Sequence, residues 1–306
     1  MIVEPAADSY VWRLSPDALT IFLFHGVVER HDYPIRNYTR KHIARARFAT
    51  ILDALMATGT AVSLDDVIEI ASGRGALPAN AFAITFDDGF RNNLTVAAPL
   101  LVDRKIPATF YVTTGFIEHN WMSWIDRIEY AVERAGEGRV TLPTGERRFH
   151  DAGSAQALLD EIRTVVKADP RLETDGFASE VQATLEIEET RATDDPLDRK
   201  LDWAEVKALA AEPLFRVGGH SHSHANLAFL DGSGLVREIE TSRALLAERA
   251  GLSCRHYSYP EGTPNAYSEG VIAALKRIGV ACCPTAEDGV NAPPLDLFRL
   301  KRVMVV

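Results

Sequence analysis

The stretch "FAITFDDGF", residues 82–90, decides how the rest of the chain is read. Phe82, Ala83, Ile84, Thr85 and Phe86 form a short apolar run with β-branched and aromatic residues, the pattern of a buried strand. The run leads straight into Asp87-Asp88-Gly89. Burying one carboxylate at the end of a core strand is costly, and two adjacent like charges cost more. A helix N-cap before "GFRNNL" accounts for one aspartate but leaves the second without a reason.

Working outward, short apolar runs alternate with amphipathic stretches. "LTIFLF" (19–24) reads as a buried strand, and "FATILDALMATG" (48–59) follows with helical spacing and a terminal glycine. "TAVSL" (60–64) is strand-like, and Ser63 is the expected N-cap of the next helix. After the 82–86 strand the expectation is a helix near 92–104, a strand over 108–114 and a helix over 124–136. Later strands are "LFRVGGH", "HYSYP", "VACCPT" and the closing "RLKRVMVV", with helices at "LDWAEVKALAAE", "LVREIETSRALLAERAG" and "YSEGVIAALKRIG" between them. Repeated β-then-α units argue for an α/β fold with a parallel sheet, either a barrel or a doubly wound layer. Residues 138–200 break the rhythm. A hairpin turning at Pro143-Thr144-Gly145, further helical stretches and the charged run "IEETRATDDPLDRK" read as an insertion over the sheet, without the apolar pattern for a core of its own.

The chain has 306 residues, 46% of them hydrophobic and 25% charged, which suits a globular fold with a substantial core. The net charge of −10, from 33 basic and 43 acidic residues, argues against nucleic acid and anionic membranes as partners. Cys254, Cys282 and Cys283 are odd in number and lack C-x-x-C spacing, so reduced thiols are expected. No run approaches the eighteen or so apolar residues of a membrane-spanning helix. "MIVEPAADSYVWRLSPDA" has no basic start followed by a long apolar stretch, so the expectation is no signal peptide and a cytoplasmic location. The oligomeric state is not legible.

A second stretch, "VGGHSHSHANL" (217–227), carries His220, His222 and His224 after two glycines at the end of an apolar strand. An H-x-x-x-H spacing can bring two imidazoles to one side of a turn, as a metal requires. The competing reading is a histidine-rich surface loop. Both this cluster and Asp87-Asp88 follow apolar strands, where parallel α/β folds place their active sites, and that coincidence favours the metal. Two histidines and one carboxylate would give three protein ligands and an open position, as in catalytic zinc sites. The paired aspartates then divide the work: one binds the cation, and the other stays within reach of the water as general base. Zinc lowers the pKa of its water from about 9 to about 7, so a nearby carboxylate can finish the deprotonation.

"TFDDG" followed by H-S-x-x-H resembles the first two motifs of the polysaccharide deacetylases, the NodB-homology or carbohydrate esterase family 4 proteins. "IPATFYVTTGFI", "WIDRIEYAVERA", "LDWAEVKALA", "RHYSYPEG" and "GVNAPPLDLFRLKRVMV" are similar to segments of bacterial members with a Y-P-x-G third motif. The likeness covers most of residues 19–305 apart from 138–200. It implies a distorted (β/α)7-type barrel with one long insertion, a single domain over residues 1–306. It also implies a metal-dependent N-deacetylase that removes acetyl groups from N-acetylated amino sugars of a surface glycan or its precursor, releasing acetate. Carried over by position, the pattern makes Asp87 the catalytic base and Asp88, His220 and His224 the ligands of a divalent metal. Zinc comes first, with cobalt, nickel, iron or manganese as alternatives. His222 falls on a variable position. Tyr259 lies in the third motif, a groove wall, and the Glu261 N–H would hold the oxyanion. Trp121, Trp124 and Tyr259 are candidate stacking surfaces for sugar rings, with core packing as the competing reading.

Two departures from the family pattern stand out. Ser258 replaces the third-motif arginine that pairs with the base in many members; Arg302 is the candidate substitute, with a purely structural salt bridge as its competing role. No histidine follows His256, so the leucine–histidine motif that supplies a catalytic acid is missing. In the Y-P-x-G subgroup a histidine after the first strand takes over, and His25 occupies that place. The rival functions are a hydrolase of a small non-sugar C–N bond in the same superfamily and an inactive carbohydrate-binding homologue.

Overall fold

The "FAITF" run is the centre of a six-stranded parallel sheet in the computed structural model, which describes residues 6–30, 32–169 and 172–306. The strands lie in the order Val303–Met304, Thr20–Phe24, Ala81–Phe86, Ala108–Val112 and Phe215–Gly219, and the short strand Thr60–Ala61 pairs with the start of Ala81–Phe86. Every residue of Ala81–Phe86 is buried, because a central parallel strand is covered on both faces. That double burial explains why its sequence shows no alternation of apolar and polar residues.

The alternation is nevertheless present in space. Phe24 and Phe86 stack at 5.3 Å, Phe86 and Phe110 at 4.9 Å, and Phe48 of helix Arg45–Thr58 meets both Phe24 and Phe86 edge-on. Ile21, Ala83, Tyr111 and Cys282 belong to a separate cluster, closed by Val67 and Ile68 of helix Leu64–Ala71. Ser63 caps that helix by accepting from the Asp66 N–H, as expected. Thr85 and Asp87 continue the period-two row that begins at Ala83, so the first aspartate leaves the sheet on this second face.

The strands expected at "HYSYP" and "VACCPT" appear as isolated parallel bridges, Gly219 with Tyr257 and His256 with Cys282. Pro260 and Pro284 follow closely, and a residue without an N–H cannot extend a ladder. Beyond them Cys283 and Thr285 donate to the Leu297 and Leu300 carbonyls, and Val305 donates to Leu23 in the first strand. The order and direction of these segments are consistent with a distorted (β/α)7 barrel. The three cysteines are buried and unpaired.

Two differences from the sequence reading affect the site. The helix expected near 92–104 opens with a π-turn over Asn93–Ala97 before the α-helix Ala98–Asp103, which aims Asn92 and Asn93 at the segment after the first strand. Asn92 Oδ1 accepts from Val27 N–H, and Asn93 Nδ2 donates to the His25 carbonyl. The 138–200 stretch, expected to lack a core, shares one. Val140, Leu142, Phe149, Leu158, Ile162, Phe177 and Val181 pack with Ile125, Ile128 and Val132 in a cluster separate from those of the sheet. The apolar wall it needed lies on helix Trp124–Ala135, which precedes the stretch and so was not counted with it.

Gly218 and Gly219 sit where the fifth strand meets the Tyr257 segment. A Cβ on Gly218 would lie 2.4 Å from the His256 carbonyl oxygen, a backbone atom that cannot swing away. We therefore expect Gly218→Ala to destabilise by about 1–3 kcal/mol through overpacking. Gly232, at a helix start with no atom within 4 Å of its added Cβ, should tolerate alanine without loss. Urea unfolding of the two variants checks the contrast.

Candidate metal and catalytic site

His25, Asp87-Asp88, His220 and Ser258 all follow C-terminal ends of parallel segments, so the sheet brings them together at one end. Asp87 N–H donates to the Phe24 carbonyl at 3.0 Å, extending the ladder by one bond and fixing where its side chain leaves. Arg302, arriving from the last strand segment, grips that side chain with both ends of its guanidinium. Nη1 donates to Oδ1 at 2.9 Å and Nη2 to Oδ2 at 2.8 Å. Nη1 also reaches Thr85 Oγ1, and Nε donates to the Thr285 carbonyl. Arg302 is 1% exposed and Asp87 3%, so the pair is desolvated. Burial works against ionisation of Asp87, but Arg302 and then His220 outweigh it and lower its pKa.

Ser258 holds two of the site's residues at once. Its hydroxyl donates to Asp87 Oδ1 at 3.2 Å and lies 2.6 Å from His220 Nδ1, and the Ser258 carbonyl is 2.9 Å from the same nitrogen. With Nδ1 held there, Nε2 of His220 faces the aspartates. Partners of this kind fix the tautomer and ring orientation of metal-binding histidines.

Asp88, His220 and His224 each offer one ligand atom within 4.8 Å of the others. Asp88 Oδ1 is 3.6 Å from His220 Nε2 and 3.3 Å from His224 Nε2. Asp88 Oδ1 is also buried and has no hydrogen-bond partner among the described residues, which is expensive for a carboxylate unless a cation completes it. Burial opposes the Asp88 charge, yet His224 and further positive groups hold its pKa well below the usual range. This donor set fits a divalent cation.

The backbone is strained at these positions. Asp88 (φ 74°), Ser221 (φ 60°), His224 (φ 62°) and Glu261 (φ 62°) are left-handed, a conformation that costs a non-glycine residue roughly 1–2 kcal/mol. Segment 199–201 holds the Asp88 turn in place. Leu201 N–H donates to the Gly89 carbonyl, Arg91 N–H to Arg199, and Phe90 bridges Lys200.

The other sequence candidates fall in different places. His25 faces both aspartates, and burial lowers its pKa to about 4 against their pull, so it is neutral near pH 7. His222 turns its ring to Thr114 Oγ1 at 3.1 Å and takes no part in the trio. The Tyr259 ring is 1% exposed in the core, stacked on Tyr267, and its hydroxyl donates to the Phe298 carbonyl, the packing that competes with a groove-wall role for this residue. Glu261 lines a cavity beside His224, together with Trp121 and Trp124. Sequence reasoning missed Lys41, Asp126 and Lys200 behind the site. Lys41 Nζ donates to Asp126 Oδ1 at 2.6 Å, and Lys200 Nζ sits 3.3 Å from the Phe90 ring centre, its pKa lowered by burial to about 8. Nothing in their spacing could have linked them.

Comparison with known proteins bears on this geometry. A profile of the polysaccharide deacetylases matches residues 74–283, which includes both aspartates and all three histidines of the second motif. Among solved structures, IcaB from Ammonifex degensii is similar at TM-score 0.60 and 21% identity, over 96% of this chain and 94% of that one. The deacetylase PplD of Streptococcus pyogenes, solved with acetate, gives TM-score 0.60 at 15% identity, over 95% and 94% of the two chains. The BpsB deacetylase domain of Bordetella bronchiseptica gives 0.58 at 14%, over 95% and 97%. These structural likenesses establish the fold. No curated protein matches the sequence.

The pair of Asp87 and Arg302 sets a pH dependence. A carboxylate with a depressed folded pKa adds stability above its unfolded value of about 3.9, and that stability is lost as pH falls through the folded pKa. Arg302→Met strands a buried charge and should cost on the order of 3–5 kcal/mol at neutral pH. The deficit should shrink as acid protonates Asp87, and Asp87→Asn in the same chain should recover part of it. Denaturant unfolding at several pH values measures this; a deficit independent of pH would mean that Arg302 acts only through packing.

Proposed function

The chain belongs to the polysaccharide deacetylase family, and from that premise we propose that it is a metal-dependent de-N-acetylase. It would remove acetyl groups from N-acetylated amino sugars of a surface glycan or its precursor and release acetate. One observation carries this reading: the buried Asp88 Oδ1, which takes no hydrogen bond among the described residues, lies 3.6 Å from His220 Nε2 and 3.3 Å from His224 Nε2, next to a second carboxylate kept ionised by Arg302.

In this reading Asp88, His220 and His224 hold a divalent cation, zinc first, because imidazole and carboxylate donors suit it; cobalt, nickel, iron and manganese are alternatives. When bound, the cation supplies Lewis-acid chemistry, polarising a carbonyl and acidifying water. Asp87 takes the proton of the attacking water. Arg302 fixes both of its oxygens, with Oδ2 4.0 Å from His220 Nε2, so the base cannot turn away from the ligand set. The same contact keeps it ionised while weakening it as a base. The Glu261 N–H, in a left-handed turn, donates to the oxyanion of the tetrahedral intermediate. As the C–N bond breaks, the acetyl carbon keeps the water's oxygen and the nitrogen needs a proton. His25 begins neutral, so that proton is the one Asp87 received, and His25 serves by relaying it.

The test is acetate release from an N-acetylated chitooligosaccharide, suppressed by chelation and restored by zinc. Asp87→Asn should lower kcat by about 10²–10⁴ with metal content unchanged, whereas Asp88→Ala should lose the metal. Activity surviving Asp87→Asn would sink the base assignment, and turnover of a cyclic imide in place of acetate release would sink the substrate class. His25→Gln should lower kcat at least tenfold if the relay operates, and leave it intact if Asp87 protonates the amine directly.

A further inference from the structure

The loop that carries His224 leaves the strand Phe215–Gly219, and its backbone groups are held one by one. His220 N–H donates to the Val112 carbonyl at 3.0 Å, and Ser221 N–H donates to the Tyr257 hydroxyl at 2.8 Å. Thr114 N–H donates to the Ser221 carbonyl at 3.2 Å, and Gly115 N–H to the His222 carbonyl at 2.8 Å. The next two N–H groups share a single acceptor. His222 N–H and Ser223 N–H both donate to Glu238 Oε2 at 2.9 Å, and the Ser223 hydroxyl donates to Oε1 at 2.8 Å.

Glu238 comes from helix Gly232–Ala250, whose buried residues include Ile239, Ser242 and Leu246. Gly219 lets this helix approach the strand end. A Cβ there would lie 3.2 Å from Ser242 Oγ and 2.5 Å from Tyr257 Cε2. Ser242 is four residues beyond Glu238 on the same helix face, so the close approach also sets the carboxylate against the loop.

Two successive N–H groups on one carboxylate oxygen form a charge-assisted anchor, stronger than a bond between neutral groups. Strain makes the anchor necessary. Ser221 (φ 60°) and His224 (φ 62°) flank the two anchored residues, and each left-handed residue costs roughly 1–2 kcal/mol. Released at residues 222 and 223, the loop can relax toward ordinary backbone angles and carry the His224 ring with it. That ring stacks on Phe116 at 6.0 Å and meets Asp88 Oδ1 at 3.3 Å, so a shift of the backbone moves a ligand atom.

We propose that Glu238 is a positioning residue for metal binding: by taking three hydrogen bonds from His222 and Ser223, it holds the loop that places His224 beside Asp88 and His220. The proposal rests on the metal-dependent reading, because it takes those three residues as the ligand set. Glu238 lies outside that set and acts as an acceptor, not as a charge near the cation. Glutamine keeps this function: its amide oxygen can take both backbone N–H groups while its NH2 donates to Ser223 Oγ. Aspartate keeps the charge but is one methylene shorter and falls short of the loop.

Cobalt(II) titration of the whole chain, stripped of metal by chelation and followed by visible absorption, tests this. Glu238→Ala and Glu238→Asp should each weaken cobalt binding about tenfold or more and alter the visible bands, because His224 is displaced. Glu238→Gln should stay within about threefold of the wild type, with its spectrum unchanged. Affinity and bands unmoved in the alanine and aspartate variants, whatever their thermal stability, overturn the proposal. So does a glutamine variant as weak as the aspartate one. Where the alanine variant does not fold, the contrast between aspartate and glutamine decides. A wild type that binds no cobalt overturns the ligand assignment itself, and this proposal with it, whereas a wild type that binds alongside unmoved variants overturns the role of Glu238 alone.

Discussion

The bidentate contact between Arg302 and Asp87 is the interaction on which the rest of the structure turns. The two residues are 215 positions apart, and the contact forms only because the last strand returns to pair with the first, next to the strand that carries Asp87. A desolvated pair of this kind adds little net stability compared with apolar packing, since both charges lose their hydration. Its value is geometric. Held on both oxygens, Asp87 has one orientation, and the ligand set formed around Asp88 lies beside it. Ser258 completes the arrangement by touching both Asp87 and His220, so the proposed base and a proposed metal ligand share one positioning group.

What could be read from the chain follows from what is local. Asp87-Asp88 and the 220–224 cluster each lie within a few residues, and each follows an apolar run, so their types and spacing predict chemistry before any contact is known. The main strands and helices are similarly legible, because burial on two faces leaves runs of apolar residues. Tyr259 shows the limit: a tyrosine beside a groove motif and a tyrosine that buries its ring and bonds Phe298 have the same sequence context. The third-motif departure misleads in a related way. The missing arginine is regained from a distant strand, and only the register of Val303–Met304 against Thr20–Phe24 shows which basic residue arrives. The shared second core escaped notice because half of its apolar wall lies on helix Trp124–Ala135, outside the stretch that looked irregular.

The 138–200 stretch then acquires two mechanical roles. At its end, residues 199–201 bond the backbone of Gly89 and Arg91 and bridge Phe90, clamping the turn in which Asp88 sits with positive φ. A strained residue persists only where its neighbours over-determine it. Lys200 adds to the clamp through its side chain, which lies buried over the Phe90 ring with Asp126 3.9 Å away. Burial disfavours its charge and lowers its pKa to about 8, and Asp126 and then Asp88 offset part of that cost.

The two roles belong together. The helices that bury the second core also form the far wall of the cavity beside His224, and the segment that leaves them fixes the loop bearing Asp88. A load on that wall therefore reaches the same body that holds the Asp88 turn, so the two are not mechanically independent in this fold. Rigid packing transmits such loads because interiors are close to crystal density and do not deform gradually. The 138–200 stretch thus combines a charged, poorly patterned surface with a core shared with helix Trp124–Ala135, and its last residues bond the turn that carries Asp88.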